Sequence, residues 1–186
     1  MDDSTNIARQ KNADLLRHGD KKAWEEVVLE YQAPLSRYLY NMMRDKELAR
    51  DLTQDTFIEA YKGISKTKGE LNFKAWLYRI ATNNAIQVIR RRKIVSWISL
   101  TDEENKYREA RNIEDDFIQR EFVRVVLGKM PEKYRAILLL HDHQGFNCSE
   151  ISNMLNISVD AAKKRLARGR CIFRDSYEQL EEGSIK

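Results

Sequence analysis

Residues 147–170, NCSEISNMLNISVDAAKKRLARGR, decide the fold of the second half of this chain. Asn147 is followed three positions later by Glu150, a variant of the capping box that opens a helix. Asn156 stands where a tight turn needs a left-handed residue, a conformation that Asn tolerates better than most. Ser158 can then cap the next helix through its hydroxyl group. A short helix, a turn and a capped helix predict a helix-turn-helix motif.

The second helix of this motif has two chemically different faces at the 3.6-residue period. One face is apolar and consists of Val159, Ala162, Leu166, Gly169 and Phe173. The opposite face carries Ala161, Lys164 and Arg168, flanked by Asp160, Lys163 and Arg165. Cationic side chains in this position can meet guanine edges and phosphates in a DNA major groove. The alternative is a solvated basic face on a helix that binds another protein.

Composition favours helices over the whole chain. Of 186 residues, 42% are hydrophobic and 33% are charged, whereas only 7 are Gly and 2 are Pro, too few for a sandwich or barrel built on tight turns. The length permits one domain or two small ones. The net charge is only +4, but basic residues cluster at 90–93 and 163–174, with an acidic stretch at 102–121 between them. This distribution predicts two nucleic-acid contacts joined by something flexible.

The remaining bulk features indicate a soluble cytoplasmic protein. The first six residues are polar and acidic, unlike a signal peptide, and no apolar run is long enough for a membrane span. Cys148 and Cys171 have neither CxxC spacing nor a paired His motif, which suits a reducing compartment. We expect no membrane insertion.

Apolar periodicity predicts an all-α fold of two small helical bundles. In the first, we expect a weak helix over 7–17, one capped by Asp20, one beginning at Pro34, and two more over 46–63 and 73–93. In the second, helices begin near Glu114 and Pro131 and continue through the helix-turn-helix to about residue 177. Residues 96–113 offer too little apolar surface to order themselves. We therefore expect domains at 1–95 and 114–186, joined by a flexible linker at 96–113.

Three segments resemble one protein family. Asp51–Phe57 (DLTQDTF) and Phe73–Asn83 (FKAWLYRIATN) resemble region 2 of the extracytoplasmic-function (ECF) sigma factors of the sigma-70 family. Met130–Arg170, which begins MPEKYR, resembles their region 4. The resemblance implies an RNA polymerase specificity subunit that melts a −10 element and reads a −35 element. Its implied partners are core RNA polymerase, promoter DNA, and an anti-sigma factor or another targeting partner.

The resemblance places polymerase docking on Asp51, Gln54 and Asp55. In the family, the corresponding helix binds the clamp-helix coiled coil of the largest polymerase subunit. These residues stand at i, i+3 and i+4 and therefore share a helix face. Without the resemblance, an ordinary solvated acidic patch is the simpler interpretation.

The resemblance also places −10 recognition in region 2. The loop Ser65–Asn72 and the helix after it resemble the element that captures a base flipped from the non-template strand, and Asn83 matches a position that contacts such a base. Lys68 is a further predicted −10 DNA contact. Arg90 and Arg91 are predicted to meet phosphates, although a basic run is often only a solubilising helix end. Trp76 is assigned to the core.

In region 4, the family's −35 contacts correspond to six residues. They are His141, Lys163, Lys164, Arg165, Ala167 and Arg168. The chain departs from the family at Asp160-Ala161-Ala162, where Gly-Thr-Val is usual, and also at Lys164, His141 and Thr67, so its −35 sequence cannot be taken from a relative. Asp160 would weaken phosphate binding or favour the helix N-terminus through the dipole.

Two other functional classes fit parts of the sequence. A stand-alone helix-turn-helix regulator or a mobile-element DNA-binding module would need neither the Asp51–Phe57 helix nor the Phe73–Asn83 segment. An enzyme or metal protein is disfavoured because His141, His143 and Cys148 lack a fourth ligand at zinc-like spacing. Neither a phosphate-cradling glycine loop nor a nucleophile elbow occurs. We therefore expect no catalytic residue, no metal and no cofactor.

Overall fold

The structure, a computed structural model, describes residues 13–99 and 115–184, and over these ranges it contains helices and no strand. A helical turn at 13–17 precedes seven α-helices. They are α1 (Lys21–Met43), α2 (Lys46–Gly63), α3 (Phe73–Ser99), α4 (Asp115–Lys129), α5 (Glu132–Leu138), α6 (Cys148–Leu155) and α7 (Val159–Ser184). A 3₁₀ turn, Ile64–Lys66, follows α2, and a π-helical turn, Leu139–His143, follows α5. The all-α prediction is confirmed. Over the described ranges, every helix is too short or too polar to cross a membrane.

Helix α1 contradicts the prediction that a new helix begins at Pro34. Asp20 caps it as predicted, accepting a bond from the Ala23 amide at 2.8 Å, but the helix then continues through Pro34 to Met43. An interior proline costs about 3 kcal/mol because it removes one helical hydrogen bond. The residues that follow it, Leu35, Tyr38, Leu39 and Met42, are fully buried. Burying each such side chain contributes about 1.5–3 kcal/mol, which outweighs the cost of the proline.

The apolar period of α2 predicts a buried face of Leu48, Leu52, Phe57 and Tyr61. Leu52 is buried, and Leu48 and Phe57 pack half-buried against the core, so only Tyr61 departs from this prediction. Tyr61, expected in the core, is 57% exposed, whereas Thr53 and Thr56 are buried. Their hydroxyl groups donate to the Ala49 and Leu52 carbonyls, both at 2.6 Å, so neither is left unpaired in the core. The buried face is therefore narrow and built from small residues, which allows α2 to pack closely on α1 and α3.

The helix-turn-helix forms as predicted. Asn147 and Glu150 make both bonds of a capping box at the start of α6. Asn156 ends α6 in the left-handed conformation, with φ at 51°. The Ser158 hydroxyl accepts a bond from the Ala161 amide at 3.1 Å at the start of α7. Ala162, Leu166 and Gly169 are buried, but Val159, predicted on the apolar face, is 38% exposed because it lies at the first turn, beyond the contact with α6.

The first group of helices, α1 to α3, contacts the second group, α4 to α7. The Arg135 guanidinium, buried on α5, donates to the Met42 carbonyl at the end of α1 and to the Met130 carbonyl at 2.9 Å. The rings of Tyr78 and Phe146 meet edge to face, with their centroids 5.4 Å apart. The two groups therefore share one core.

The structure differs from the predicted linker at residues 96–99. Helix α3 continues to Ser99, so residues 96–99 belong to that helix, because the amphipathic pattern fades before the backbone leaves the helical conformation. The rest of the predicted linker, up to residue 113, lies outside the described residues, as does most of the weak helix predicted over 7–17.

Candidate polymerase-binding and DNA-binding surfaces

The predicted polymerase-binding residues form an open face of α2. Asp51, Gln54 and Asp55 are all exposed, while Leu52 and Thr56 point into the core on the other side of the helix. Ile58, one turn further along, is 42% exposed and extends this face with an apolar side chain. Two carboxylates, an amide and an apolar side chain on one helix face can bind a partner of basic and apolar character.

The loop before α3 is held in place by a side-chain hydrogen bond, a left-handed glycine and a helix cap. The Thr67 hydroxyl donates to the Ile64 carbonyl at 2.7 Å, and Gly69 takes a left-handed conformation with φ at 65°. The Asn72 side chain then accepts a bond from the Ala75 amide at 3.1 Å and caps α3. Lys68, the predicted DNA contact, is exposed at the tip of this loop.

The predicted −10 residues on α3 share its solvent side. Asn83, Arg90 and Arg91 are exposed, and their spacing of seven and eight residues is about two helical turns, which places them on one face. Asn84, beside them, donates to Glu59 on α2 at 3.2 Å. Trp76 packs half-buried against the core, as assigned.

The predicted −35 residues on α7 are open to solvent on one side. Lys163, Lys164, Ala167 and Arg168 are exposed and lie at i, i+1, i+4 and i+5. Arg165 is half-buried at the edge of this face. The small side chain of Ala167 lies among the cationic side chains of this face.

His141, the sixth predicted −35 residue, belongs to a charged cluster that the sequence analysis missed. Arg170 donates to both carboxylate oxygens of Asp142, at 3.1 and 2.5 Å, and His141 Nδ1 lies 2.7 Å from the same carboxylate. The hydrogen bond from Arg170, assisted by the one from His141, holds the pKa of Asp142 below its usual range. The same carboxylate raises the pKa of Arg170.

This cluster joins the π-helical turn after α5 to the middle of α7. Asp142 therefore pairs with one of the cations of the basic block at 163–174. Sequence spacing gives no signal for a pair 28 residues apart. Over the described ranges, no group of three or more His, Cys, Asp and Glu side chains could hold a metal ion.

The three predicted sets lie on separate parts of the fold: α2, α3 with its preceding loop, and α7 together with the π-helical turn that carries His141. The start of α3 also contacts the segment before α6. Lys74 Nζ donates to the Gln144 carbonyl at 2.9 Å, and the Asn72 amide donates to Glu150 at 3.1 Å. The start of α3, next to the loop Ser65–Asn72 (the predicted −10 loop), is therefore partly covered by the second group of helices.

Comparisons with known proteins match both halves of the chain. Residues 27–94 match the family model described as Sigma-70 region 2, and residues 123–170 match the model described as Sigma-70, region 4. The ECF RNA polymerase sigma factor SigW of Bacillus subtilis is 29% identical over 92% of this chain and 97% of its own length. The RNA polymerase sigma factor SigZ of the same organism is 30% identical over 86% of this chain and 87% of its own length.

Two solved structures share the fold. CnrH, solved in complex with the cytosolic domain of CnrY, superposes with a TM-score of 0.72 at 22% identity, over 92% of this chain and 98% of that one. The sigma factor RpoE of Bartonella quintana, solved with the anti-sigma factor NepR, superposes with a TM-score of 0.69 at 19% identity, over 84% and 98%.

Proposed function

The chain belongs to the ECF sigma factors of the sigma-70 family, and we propose that it binds core RNA polymerase through α2, opens a −10 element at α3 and reads a −35 element with α7. An RNA polymerase sigma factor acts in transcription initiation. Its contribution is to bind and position DNA, and we assign it no catalytic residue.

One observation carries this proposal. Apart from the half-buried His141 and Arg165, the residues of the three sets that the resemblance selects are exposed, and each set lies within the matched region that the proposed role requires. Asp51, Gln54, Asp55 and Asn83 fall in the region 2 match, and Lys164 and Arg168 fall in the region 4 match. A stand-alone helix-turn-helix regulator would account for α6 and α7 but not for the exposed acidic face of α2.

The chemistry of α3 suits single-stranded DNA. An unpaired base can be held by polar groups at its edge, and Asn83 offers both a donor and an acceptor. Arg90 and Arg91, two turns further along the same face, supply positive charge for the phosphates of the same strand. Lys68 adds a third charge at the loop.

The chemistry of α7 suits double-stranded DNA. Arg168 can donate two parallel hydrogen bonds to a guanine in the major groove, which makes it the proposed base reader. Lys164, one turn before it, is a point charge and suits a phosphate or a base edge. His141, Lys163, Arg165 and Ala167 are proposed as supporting contacts.

We also propose that residues 1–95 and 114–186 act as separate domains on the promoter. The centres of elements named −35 and −10 are about 25 base pairs apart, or roughly 85 Å at about 3.4 Å per base pair. A compact chain of this length has a radius of gyration of about 16 Å and is roughly 40 Å across. The contacts between the two groups of helices, including Arg135 to Met42, must therefore open when both elements are read.

The proposed polymerase contact is tested by charge reversal. The Asp51→Lys, Asp55→Lys double variant should lose binding to purified core RNA polymerase, while its circular dichroism spectrum stays that of the wild type. Glu26→Lys, Glu30→Lys is the matched control, because both residues are exposed carboxylates on α1. Equal core affinity in the two double variants would refute the α2 assignment.

Regulation by an anti-sigma factor is a second proposal. RpoE was solved with the anti-sigma factor NepR, and CnrH was solved with the cytosolic domain of CnrY. A groove of about 830 Å³ lies between α1 and the second group of helices. Its lining includes the apolar side chains of Val123 and Leu139 and the cationic side chain of Arg37. An amphipathic helix with an acidic edge would fit this groove. Val123→Glu should weaken binding of the inhibitor and leave core binding intact; unchanged inhibitor affinity would remove the groove from consideration.

A further inference from the structure

The helical turn at 13–17 is anchored against the first group of helices. Ala13 and Leu16 are buried, and the Trp24 indole nitrogen donates to the Leu16 carbonyl at 3.2 Å inside the core. The backbone position of Arg17, the next residue, is therefore fixed. Its side chain is only 15% exposed and is directed at the loop before α3.

Arg17 holds that loop at two points. Its Nε donates to the Thr67 hydroxyl at 3.1 Å, and one terminal nitrogen donates to the Gly69 carbonyl at 2.6 Å. The other terminal nitrogen donates to Asp14 at 2.6 Å, which fixes the guanidinium on its own turn. Lys68, the proposed DNA contact, stands between the two residues that are held.

The geometry requires an arginine. A guanidinium presents five N–H donors in a rigid planar fork, so a single side chain can reach three acceptors in different directions at once. A lysine ammonium at the same place could supply the charge but not the fork. Charge-assisted bonds to a carbonyl and a hydroxyl of a loop are also stronger than the neutral bonds the loop makes by itself.

We propose that Arg17 is a positioning residue for the −10 loop and that capture of the flipped base depends on it. The inference rests on the proposed function of α3 and its loop, and it adds a residue from outside the Sigma-70 region 2 match, which begins at residue 27. Arg17 does not contact DNA in this proposal. It fixes the backbone on both sides of Lys68, so that the loop is already in place when the strand opens.

The test measures binding of reconstituted holoenzyme to a single-stranded oligonucleotide that carries the chain's own selected −10 sequence. Arg17→Gln should weaken this binding about ten-fold and relax the base preference at the captured position, because the loop must then be ordered by the DNA itself. Arg17→Lys should recover only part of the affinity. Lys21→Gln is the matched control, since it removes one exposed positive charge just beyond the turn. Core affinity and binding of a −35 duplex should stay at wild-type values in every variant.

Thr67→Val provides a second route to the same contact if Arg17→Gln folds poorly. It should weaken −10 binding as well, and the Arg17→Gln, Thr67→Val double variant should lose less than the product of the two single effects. The proposal would be overturned if Arg17→Gln and Thr67→Val both kept wild-type −10 affinity and base preference. It would also be overturned by equal losses in core, −35 and −10 binding, because such losses would indicate a general structural role for Arg17. A wild-type holoenzyme that prefers no −10 sequence would instead refute the proposed function.

Discussion

Asn156, between α6 and α7, has a backbone conformation that alanine disfavours. Its φ and ψ are 51° and 54°, and its amide donates to the Ser152 carbonyl, so the residue ends α6 and sets the direction of the next helix. Asn153, three residues earlier, is exposed within α6 itself. The same substitution at these two positions should therefore have opposite effects on stability.

The magnitudes follow from the two conformations. A left-handed backbone costs an alanine roughly 1–2 kcal/mol, of which Asn avoids a part, so Asn156→Ala should lower the free energy of unfolding by about 1 kcal/mol. Asn153→Ala should raise it by about 0.5 kcal/mol, because Ala has the higher helix propensity. The two variants should differ by about 1.5 kcal/mol.

Urea unfolding followed by circular dichroism measures both values on the full chain. Asn156→Gly serves as a further check, since glycine adopts the left-handed conformation without strain and should be at least as stable as the wild type. Equal changes in Asn156→Ala and Asn153→Ala would refute the assigned turn geometry. The −35 reading proposed for α7 would then lose its structural basis, because the turn orients that helix.

Further predictions concern the second group of helices and α3. Asp142→Asn should destabilise the chain by at most about 1 kcal/mol near pH 7, because the pair with Arg170 is partly exposed. Since the pKa of Asp142 is lowered in the folded state, this difference should persist above about pH 4 and vanish as the pH falls through the folded pKa. Urea midpoints measured at pH 7 and over a series of acidic pH values would show this, and a difference that grows in acid would contradict it. Arg168→Ala should weaken the free energy of −35 DNA binding by roughly 1–3 kcal/mol and relax the base preference at one position of a randomised −35 library. Lys164→Ala should mainly flatten the salt dependence of DNA affinity if Lys164 contacts a phosphate. Unchanged base preference and DNA affinity in both variants would show that α7 does not read DNA. Asn83→Ala should weaken binding of the single-stranded −10 oligonucleotide without changing −35 duplex affinity, and an equal loss of both would contradict its assignment.

The features predicted correctly are those fixed by neighbours in sequence. Asp20, Asn147, Ser158 and Asn156 each act through bonds to residues within four positions, so local chemistry alone determines them. The bounds of α6 follow for the same reason. The exposure of the polar face of α2 is also predicted correctly, because its charged residues cannot enter a core without partners.

The errors occur where tertiary packing decides. Pro34 would end a helix in isolation, but burial on either side of it keeps α1 continuous. In α2, threonines that bond back to the preceding turn replace Tyr61 in the core, since the helix must approach its neighbours closely. An apolar count along the sequence cannot weigh side-chain size against the distance between helices.

The contacts that no local pattern indicates are those between distant residues. Arg17 and Thr67 are 50 positions apart, and Asp142 and Arg170 are 28 apart. Each is an ordinary charged or polar residue in its own segment. Only the packing of the helices brings these partners together, and with them the positioning of the −10 loop and of α7.

Transcription by the reconstituted holoenzyme tests the central proposal most directly. Core RNA polymerase, with and without the purified chain, would be given a template library randomised at the −35 and −10 elements, and the run-off products would be sequenced. We predict that the chain selects one short sequence at each element and that Asp51→Lys, Asp55→Lys abolishes the selection. Products whose sequences are the same with and without the chain would contradict its assignment as a promoter-specificity subunit.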